Sequence, residues 1–203
     1  LLFEKGLSPS ALNTYLSCPL DFYYKYALRI NEKKELEETI ENSTQGTIIH
    51  EVLEKLYQEH SHTIKASSID EMLKTYEALT DKLYLKQFPS KSYRYGKNLL
   101  YYKMALKEIK LFLTQEKKQI QKKGPIEILG LEEPLDTRIE IETSQGRKTI
   151  FLKGNADRID AQNGQIRIID YKSGFVKPEE VRVSSIEQVF EKAKAAQLLF
   201  YGY

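Results

Sequence analysis

Gly124-Pro125 divides this chain into two stretches with different hydrophobic periods, so neither an all-helical nor an all-strand fold satisfies both. Upstream, apolar residues recur every three or four positions. Gln45-Gly46-Thr47 opens a stripe of Ile49, Val52, Leu53 and Leu56. Ile69, Met72, Leu73, Tyr76, Leu79 and Leu83 predict a helix over 69–86, and Leu99, Tyr102, Leu106, Ile109, Leu113 and Ile120 predict one over 97–122. Phe88-Pro89-Ser90 and Tyr93–Gly96 separate these two helices. Downstream of the break, residues 126–131, 138–142, 149–160 and 165–173 read as strands, with turns at Ser144-Gln145-Gly146 and Asn163-Gly164. Asn-Gly between alternating runs predicts a tight hairpin, so the last two strands are expected to be antiparallel neighbours. A loop around Pro178 then leads to a final helix over 185–203.

At the other end, Ser8 is placed to cap a short helix with Pro9 in its first position, running to Cys18-Pro19. An aromatic run, Phe22 to Tyr26, follows, and residues 31–45 read as a polar loop. The chain is expected to begin and end inside a longer protein, and no leader peptide is expected. With 203 residues, 41% of them hydrophobic, there is enough apolar surface for a core, which excludes wholesale disorder. No window approaches eighteen uninterrupted apolar residues, so no transmembrane helix is expected. The single cysteine, Cys18, excludes a disulfide framework and a complete zinc or iron–sulfur site from this chain alone, and suits a reducing, cytoplasmic setting.

A net charge of +2 hides a strong asymmetry: residues 82–123 carry twelve Lys or Arg against two acids, Glu108 and Glu116. Tyr84, Tyr93, Tyr95, Tyr101 and Tyr102 lie among these cations, a composition able to meet phosphates and stack unpaired bases. A solvated helical face is the plainer reading. For Tyr102, a place in the core is expected.

The chemistry concentrates in the last two strands. In Gln165–Lys172, alternation sets Ile166, Ile168, Asp170 and Lys172 on one side, with the last two at the strand end. Alone, that is an ordinary Asp–Lys ion pair. The hairpin partner contains Asp157, on the face of Phe151 and Ile159, and a short hairpin brings it near Asp170. Two adjacent carboxylates repel, and one takes up a proton unless a cation joins them. Oxygen ligands of this kind select Mg²⁺ or Mn²⁺. Lys172 beside such an ion would stabilise charge on a phosphoryl group, which is equipment for phosphodiester hydrolysis.

These residues resemble the PD-(D/E)XK nuclease superfamily, and within it the RecB/AddB-like branch. Asp157 followed by Asp170-x-Lys172 resembles the D…(D/E)-x-K signature. Gly154-x-x-Asp157-Arg158-Ile159-Asp160, Asp170-Tyr171-Lys172-Ser173-Gly174, Gly46-x-x-x-His50, Gln197-x-x-x-Tyr201 and Ser8-Pro9-Ser10…Cys18-Pro19 resemble further elements of that branch, in the same order. The resemblance implies a single α/β domain over 1–203 with a restriction-endonuclease-like core. Its sheet would be mixed but mainly antiparallel, over about 126–174, with flanking helices and a helical insertion over about 60–123. It implies Asp157, Asp170 and Lys172 as catalytic residues. It implies His50, Asp157, Asp170 and the carbonyl of Tyr171 as metal ligands, with Gln197 and Tyr201 binding DNA or supporting the site. Glu132 or Glu133, just before Pro134, is read as a loop acid, the other reading being a match to an acid that precedes the metal strands in relatives. His60 and His62 are read as surface residues.

The function so implied is Mg²⁺-dependent DNA cleavage, with Mn²⁺ as a second possibility and exonuclease action expected ahead of endonuclease action. The domain would be the nuclease module of a larger DNA repair or recombination protein, with a fused or associated helicase and no membrane partner. A catalytically inactive DNA-binding or scaffold module is the alternative. A second is a fragment of an iron–sulfur exonuclease, because several relatives tie a cysteine like Cys18 to three more beyond the last helix. Within this chain Cys18 is read as a buried thiol.

Overall fold

A computed structural model describes residues 6–30, 39–60, 62–144 and 146–202. Helix α1 (Pro9–Ser17) starts as expected, with the Ala11 N–H donating to Ser8 Oγ at 3.2 Å and Pro9 in the first turn. It is followed by α2 (Pro19–Phe22) and a π-helical turn, Tyr23–Ala27. Residues 31–38 of the expected loop lie outside the described residues. Helix α3 (Asn42–Gln58) begins about two turns before its apolar stripe, within the stretch expected to be a loop. β1 (Thr63–Ile64), α4 (Ala66–Gln87), a 3₁₀ turn (Ser92–Arg94) and α5 (Gly96–Lys123) complete the helical half, and Gly124, at φ 91°, ends it.

The second half is a four-stranded sheet in the order β1-β2-β3-β4, flanked by helices. β2 (Ile126–Thr143) and β3 (Gly146–Gln162) are long, and β4 (Gln165–Ile169) is short. The hairpin at Asn163-Gly164 forms as expected, both residues having positive φ (54° and 76°), as a two-residue primed turn requires. Its register pairs Gln162 with Gln165 and ends with Arg158 opposite Ile169. A parallel bridge between Leu7 and Leu152 accompanies the antiparallel pairs.

Two strand boundaries differ from expectation. Residues 126–131 and 138–142 belong to one strand that runs through Pro134. β1 is two residues long and pairs only with Ile126 and Glu127, so among the described residues no named strand flanks that side of β2 at Pro134. β4 stops at Ile169, which leaves Asp170 and Lys172 beyond the strand rather than on its alternating face.

The chain forms two compact units. One comprises residues 36–133 and 157–175. Its core joins Val52, Leu53 and Leu56 of α3, Ile69 and Met72 of α4, Ile109 and Leu113 of α5, and Ile126 of β2. Tyr84 and Tyr93 are fully buried there, with Tyr102 against both at 5.0 and 5.2 Å between ring centroids. This corrects the expectation that Tyr84 and Tyr93 offer stacking surfaces to nucleic acid; only Tyr95 of that group is largely exposed. The cations are also partly committed, Arg94 to Asp81 at 2.8 Å and Lys117 to Asp70 at 2.6 Å.

The other unit comprises residues 1–35, 134–156 and 176–203. The expected loop around Pro178 contains a short helix, α6 (Pro178–Val181), and the expected final helix is two pieces, α7 (Ile186–Glu191) and α8 (Ala193–Gly202), with extended backbone at Lys192. In this unit Leu7 bonds both ways with β3, its N–H donating to Phe151 at 2.7 Å and its carbonyl accepting from Lys153 at 3.0 Å. Cys18 is exposed, not the buried thiol expected. No described helix is long and apolar enough to cross a membrane.

Candidate metal centre

In α3, the buried side chains of Ile49, Val52, Leu53 and Leu56 fix the rotation of the helix, and that rotation leaves His50 beside the core rather than in it. Gly46 lies one turn earlier on the same face. A Cβ at Gly46 would stand 3.1 Å from Ser173 Oγ, so the missing side chain lets the segment after β4 approach the helix. That segment carries Asp170, Tyr171 and Lys172.

The hairpin register supplies the other side. Continued one step past Arg158 and Ile169, it sets Asp157 across from Asp170. Asp157 is buried, and both its oxygens are engaged. Oδ1 lies 3.3 Å from His50 Nδ1, and Oδ2 accepts a short hydrogen bond from the Tyr171 N–H. The hydrogen bond to Asp157 raises the pKa of His50. Partial burial opposes the rise, and the charges of Asp157 and Asp170 add to it. Asp170 holds the ammonium of Lys172 in direct contact. The ring of Tyr171 is buried edge-on between His50 and Phe112, at 5.7 and 5.2 Å, and burial raises the pKa of its hydroxyl. This burial anchors the backbone between the acid and the lysine.

Glu132 completes the cluster. One ligand atom each from His50, Glu132 and Asp157 lie within 4.8 Å of one another, the one such group among the described residues. An imidazole with two carboxylates suits a hard divalent cation. Glu132 therefore sits in β2 rather than in a loop, with φ at 48°, a conformation that costs a non-glycine residue about 1 kcal/mol or more. In the sequence Glu132 reads as a loop acid because Pro134 follows it. The alternation of β2 does not announce it: it is clear from Ile126 to Leu129 and lapses over Gly130, Leu131 and Glu132, all half-buried.

Behind Asp157, and with no announcement in the sequence, lies a buried ion cluster. Arg158 is fully buried. Its Nη2 donates to both oxygens of Glu116 on α5, at 2.9 and 3.2 Å, and its Nε stands 2.8 Å from Asp160 Oδ2, off the axis of an aligned hydrogen bond. Arg167 reaches Asp160 at 2.6 Å and Glu116 at 3.7 Å. The guanidinium of Arg158 also lies over the Tyr57 ring, 4.5 Å from its centroid.

Of the remaining expected residues, Gln197 and Tyr201 belong to the other unit. Gln197 Nε2 donates to the Tyr201 hydroxyl at 3.0 Å, and that hydroxyl donates to the Asn155 carbonyl at 3.0 Å. A Cβ at Gly154 would come within 2.7 Å of Tyr201 Cε1, which accounts for a glycine there. His60 is not the surface residue expected: it is half-buried, with Nδ1 2.9 Å from the Leu56 carbonyl. His62 is exposed, as expected.

Comparison with known proteins gives the family of the chain. The chain is 29% identical over 214 residues to an ATP-dependent helicase/deoxyribonuclease subunit of Alkaliphilus oremlandii, a match covering 96% of this chain and 17% of that protein. Proteins of the same name from Lysinibacillus sphaericus (29% identical, 82% of this chain, 15% of that protein) and Clostridioides difficile (28%, 84% and 16%) are similar. The chain thus spans about a sixth of the length of these relatives. A family model described as the PD-(D/E)XK nuclease superfamily matches residues 6–203, and this chain belongs to that superfamily.

Proposed function

We propose that this domain hydrolyses phosphodiester bonds of DNA with Mg²⁺, as the nuclease module of a larger repair or recombination protein that works with a helicase. The observation that carries the reading is the convergence of His50, Glu132 and Asp157 beside the Asp170–Lys172 pair. Exonuclease action is the preferred mode, and the cytoplasm the preferred setting. Mn²⁺ is the expected substitute ion.

In this reading, His50, Glu132, Asp157, Asp170 and the carbonyl of Tyr171 hold the cation, which, when bound, acidifies water and neutralises charge on the phosphate. Asp157 links the elements of the site, fixing His50 with one oxygen and the Tyr171 amide with the other. Tyr171 keeps its carbonyl in place through its buried ring. Lys172 turns its ammonium from Asp170 to the phosphate and stabilises the charge that develops as water oxygen bonds to phosphorus and the bond to the sugar oxygen breaks. The attacking water releases one proton to solvent, and the departing oxygen takes one from solvent and leaves as an alcohol. Gln197 and Tyr201 support the strand by holding Asn155, two residues before Asp157 in the chain.

The test is cleavage of end-labelled single- and double-stranded DNA with Mg²⁺, with Mn²⁺ and with chelator, comparing wild type with Asp170→Asn and Lys172→Ala. Metal-dependent products that vanish in both variants are expected. Equal products from wild type and Asp170→Asn, or none under any metal, would remove the enzyme reading and favour a DNA-binding or scaffold module.

A further inference from the structure

A groove of about 410 Å³ opens directly beside Lys172, and nothing in the chemistry above uses it. Its volume lies in the range of small-molecule sites. Phe112 and Leu111 of α5, Tyr171, Ser173 and Phe175 of the segment after β4, and Ile49 of α3 are among the residues that line it. Two features set it apart from a packing defect. Phe175 is 83% exposed and Leu111 is 54% exposed, so apolar surface is presented to solvent instead of being folded away. Its polar lining comprises Lys172, the cation assigned to the reacting phosphate, with Glu108, Gln115 and Ser173.

Glu108 is the one acid of that lining, and the exposed surface of α5 on either side of it is cationic. Along α5, Lys107, Leu111, Gln115 and Lys118 follow one another at helical spacing, so exposed lysines bracket the apolar strip at both ends. An apolar slot flanked by cations and joined at its mouth to a phosphate-handling lysine has the composition of a nucleotide-binding surface: aromatic faces for a base and ammonium groups for the backbone. The aromatic faces of Phe112 and Phe175, set beside the lysine assigned to the reacting phosphate, favour a nucleobase over a peptide segment.

We propose that this groove is a base-stacking subsite, in which Phe175 and Phe112 receive the unpaired nucleobase adjoining the phosphate that is cut. The inference rests on the nuclease reading above and extends it. It makes single-stranded DNA, or a frayed duplex end, the preferred substrate, because a base still paired in a helix cannot enter. It assigns no base preference, since every base offers a π-face.

The experiment uses single-stranded oligonucleotides carrying one abasic position, stepped along the strand, cut by wild type, Phe175→Ala and Phe175→Trp. In wild type, one abasic position next to the cut lowers kcat/KM about tenfold. Phe175→Ala lowers kcat/KM on intact DNA by a similar factor and is indifferent to that abasic position, while Phe175→Trp retains wild-type behaviour within about twofold. Wild-type indifference to every abasic position, or losses from Phe175→Ala and the abasic position that multiply, would overturn the subsite and leave the nuclease reading standing, with a protein-docking face then favoured. Absence of cleavage by wild type with every metal would remove the nuclease reading and the subsite with it.

Discussion

Replacing Glu116 with glutamine tests whether the hidden ion cluster secures the hairpin that carries Asp157. Glu116, Asp160, Arg158 and Arg167 make a neutral set of two anions and two cations, with the first three fully or almost fully buried. Glutamine keeps the shape of the side chain and can still accept from Arg158, but it leaves one positive charge in excess. At 2.9 Å the Arg158–Glu116 attraction is about 6 kcal/mol for an effective dielectric constant near 20. Relaxation and the retained hydrogen bond reduce the loss to about 3–5 kcal/mol, the range seen when one partner of a buried pair is removed. For a chain of this size that lowers Tm by about 6–20 °C. The double variant Glu116→Met with Arg158→Met leaves the Arg167–Asp160 pair neutral, so it should be less destabilised than the sum of its two single variants by more than about 1.5 kcal/mol. The assay is thermal unfolding followed by circular dichroism on wild type, Glu116→Gln, both Met singles and the double. A Tm loss below about 2 °C for Glu116→Gln, or single losses that add in the double, would show that the cluster does not hold the hairpin.

Three other outcomes follow from the same structure. Glu132→Gln weakens Mn²⁺ binding by about tenfold or more in isothermal titration calorimetry while leaving Tm of the metal-free protein nearly unchanged; unaltered affinity would exclude Glu132 from the ligand set. Gly154→Ala forces a Cβ to within 2.7 Å of Tyr201 Cε1 and costs about 1–3 kcal/mol, read as a Tm loss of about 2–12 °C; no loss would show that the Tyr201 ring does not rest on that backbone. Burial holds the Glu108 carboxyl above its ordinary value of 4.5, so the folded chain keeps that proton to higher pH than the unfolded one. Stability is therefore lost as pH rises from the ordinary value through the raised one. Glu108→Gln should raise Tm at pH 7 and converge with wild type near pH 4, whereas a gap independent of pH would contradict the assignment.

The sequence reveals features that rest on local rules. Gly124-Pro125 ends the helical half because neither residue can continue it, and Asn163-Gly164 turns the chain because both tolerate positive φ. The Ser8 cap and the stripes of α3, α4 and α5 are legible for the same reason. Features that depend on distant partners are not. Tyr84 and Tyr93 sit among lysines in the sequence, but side chains from two helices and the turn between them close over both rings. The burial of Arg158 is not legible locally, since its partner Glu116 lies 42 residues earlier in the chain. Pro134 marks a loop in the sequence and a strand in the fold, because β2 continues through it beyond the two-residue β1. The break at Lys192 carries no proline or glycine to announce it. For the site, alternation brings Asp157 near Asp170 through the hairpin, and the resemblance adds His50. Glu132 requires the long-range closure of β2 onto α3 and β3.

Cleavage, the Glu132 affinity and the stacking groove all depend on one divalent cation sitting where His50, Glu132 and Asp157 converge, beside Asp170 and Lys172. Anomalous diffraction from a Mn²⁺-soaked crystal at the manganese edge locates that ion without reference to activity. A single strong peak in contact with His50, Glu132 and Asp157, absent from Asp157→Ala, is expected. A peak elsewhere, or none at Mn²⁺ concentrations that support DNA cleavage, would contradict the assigned centre.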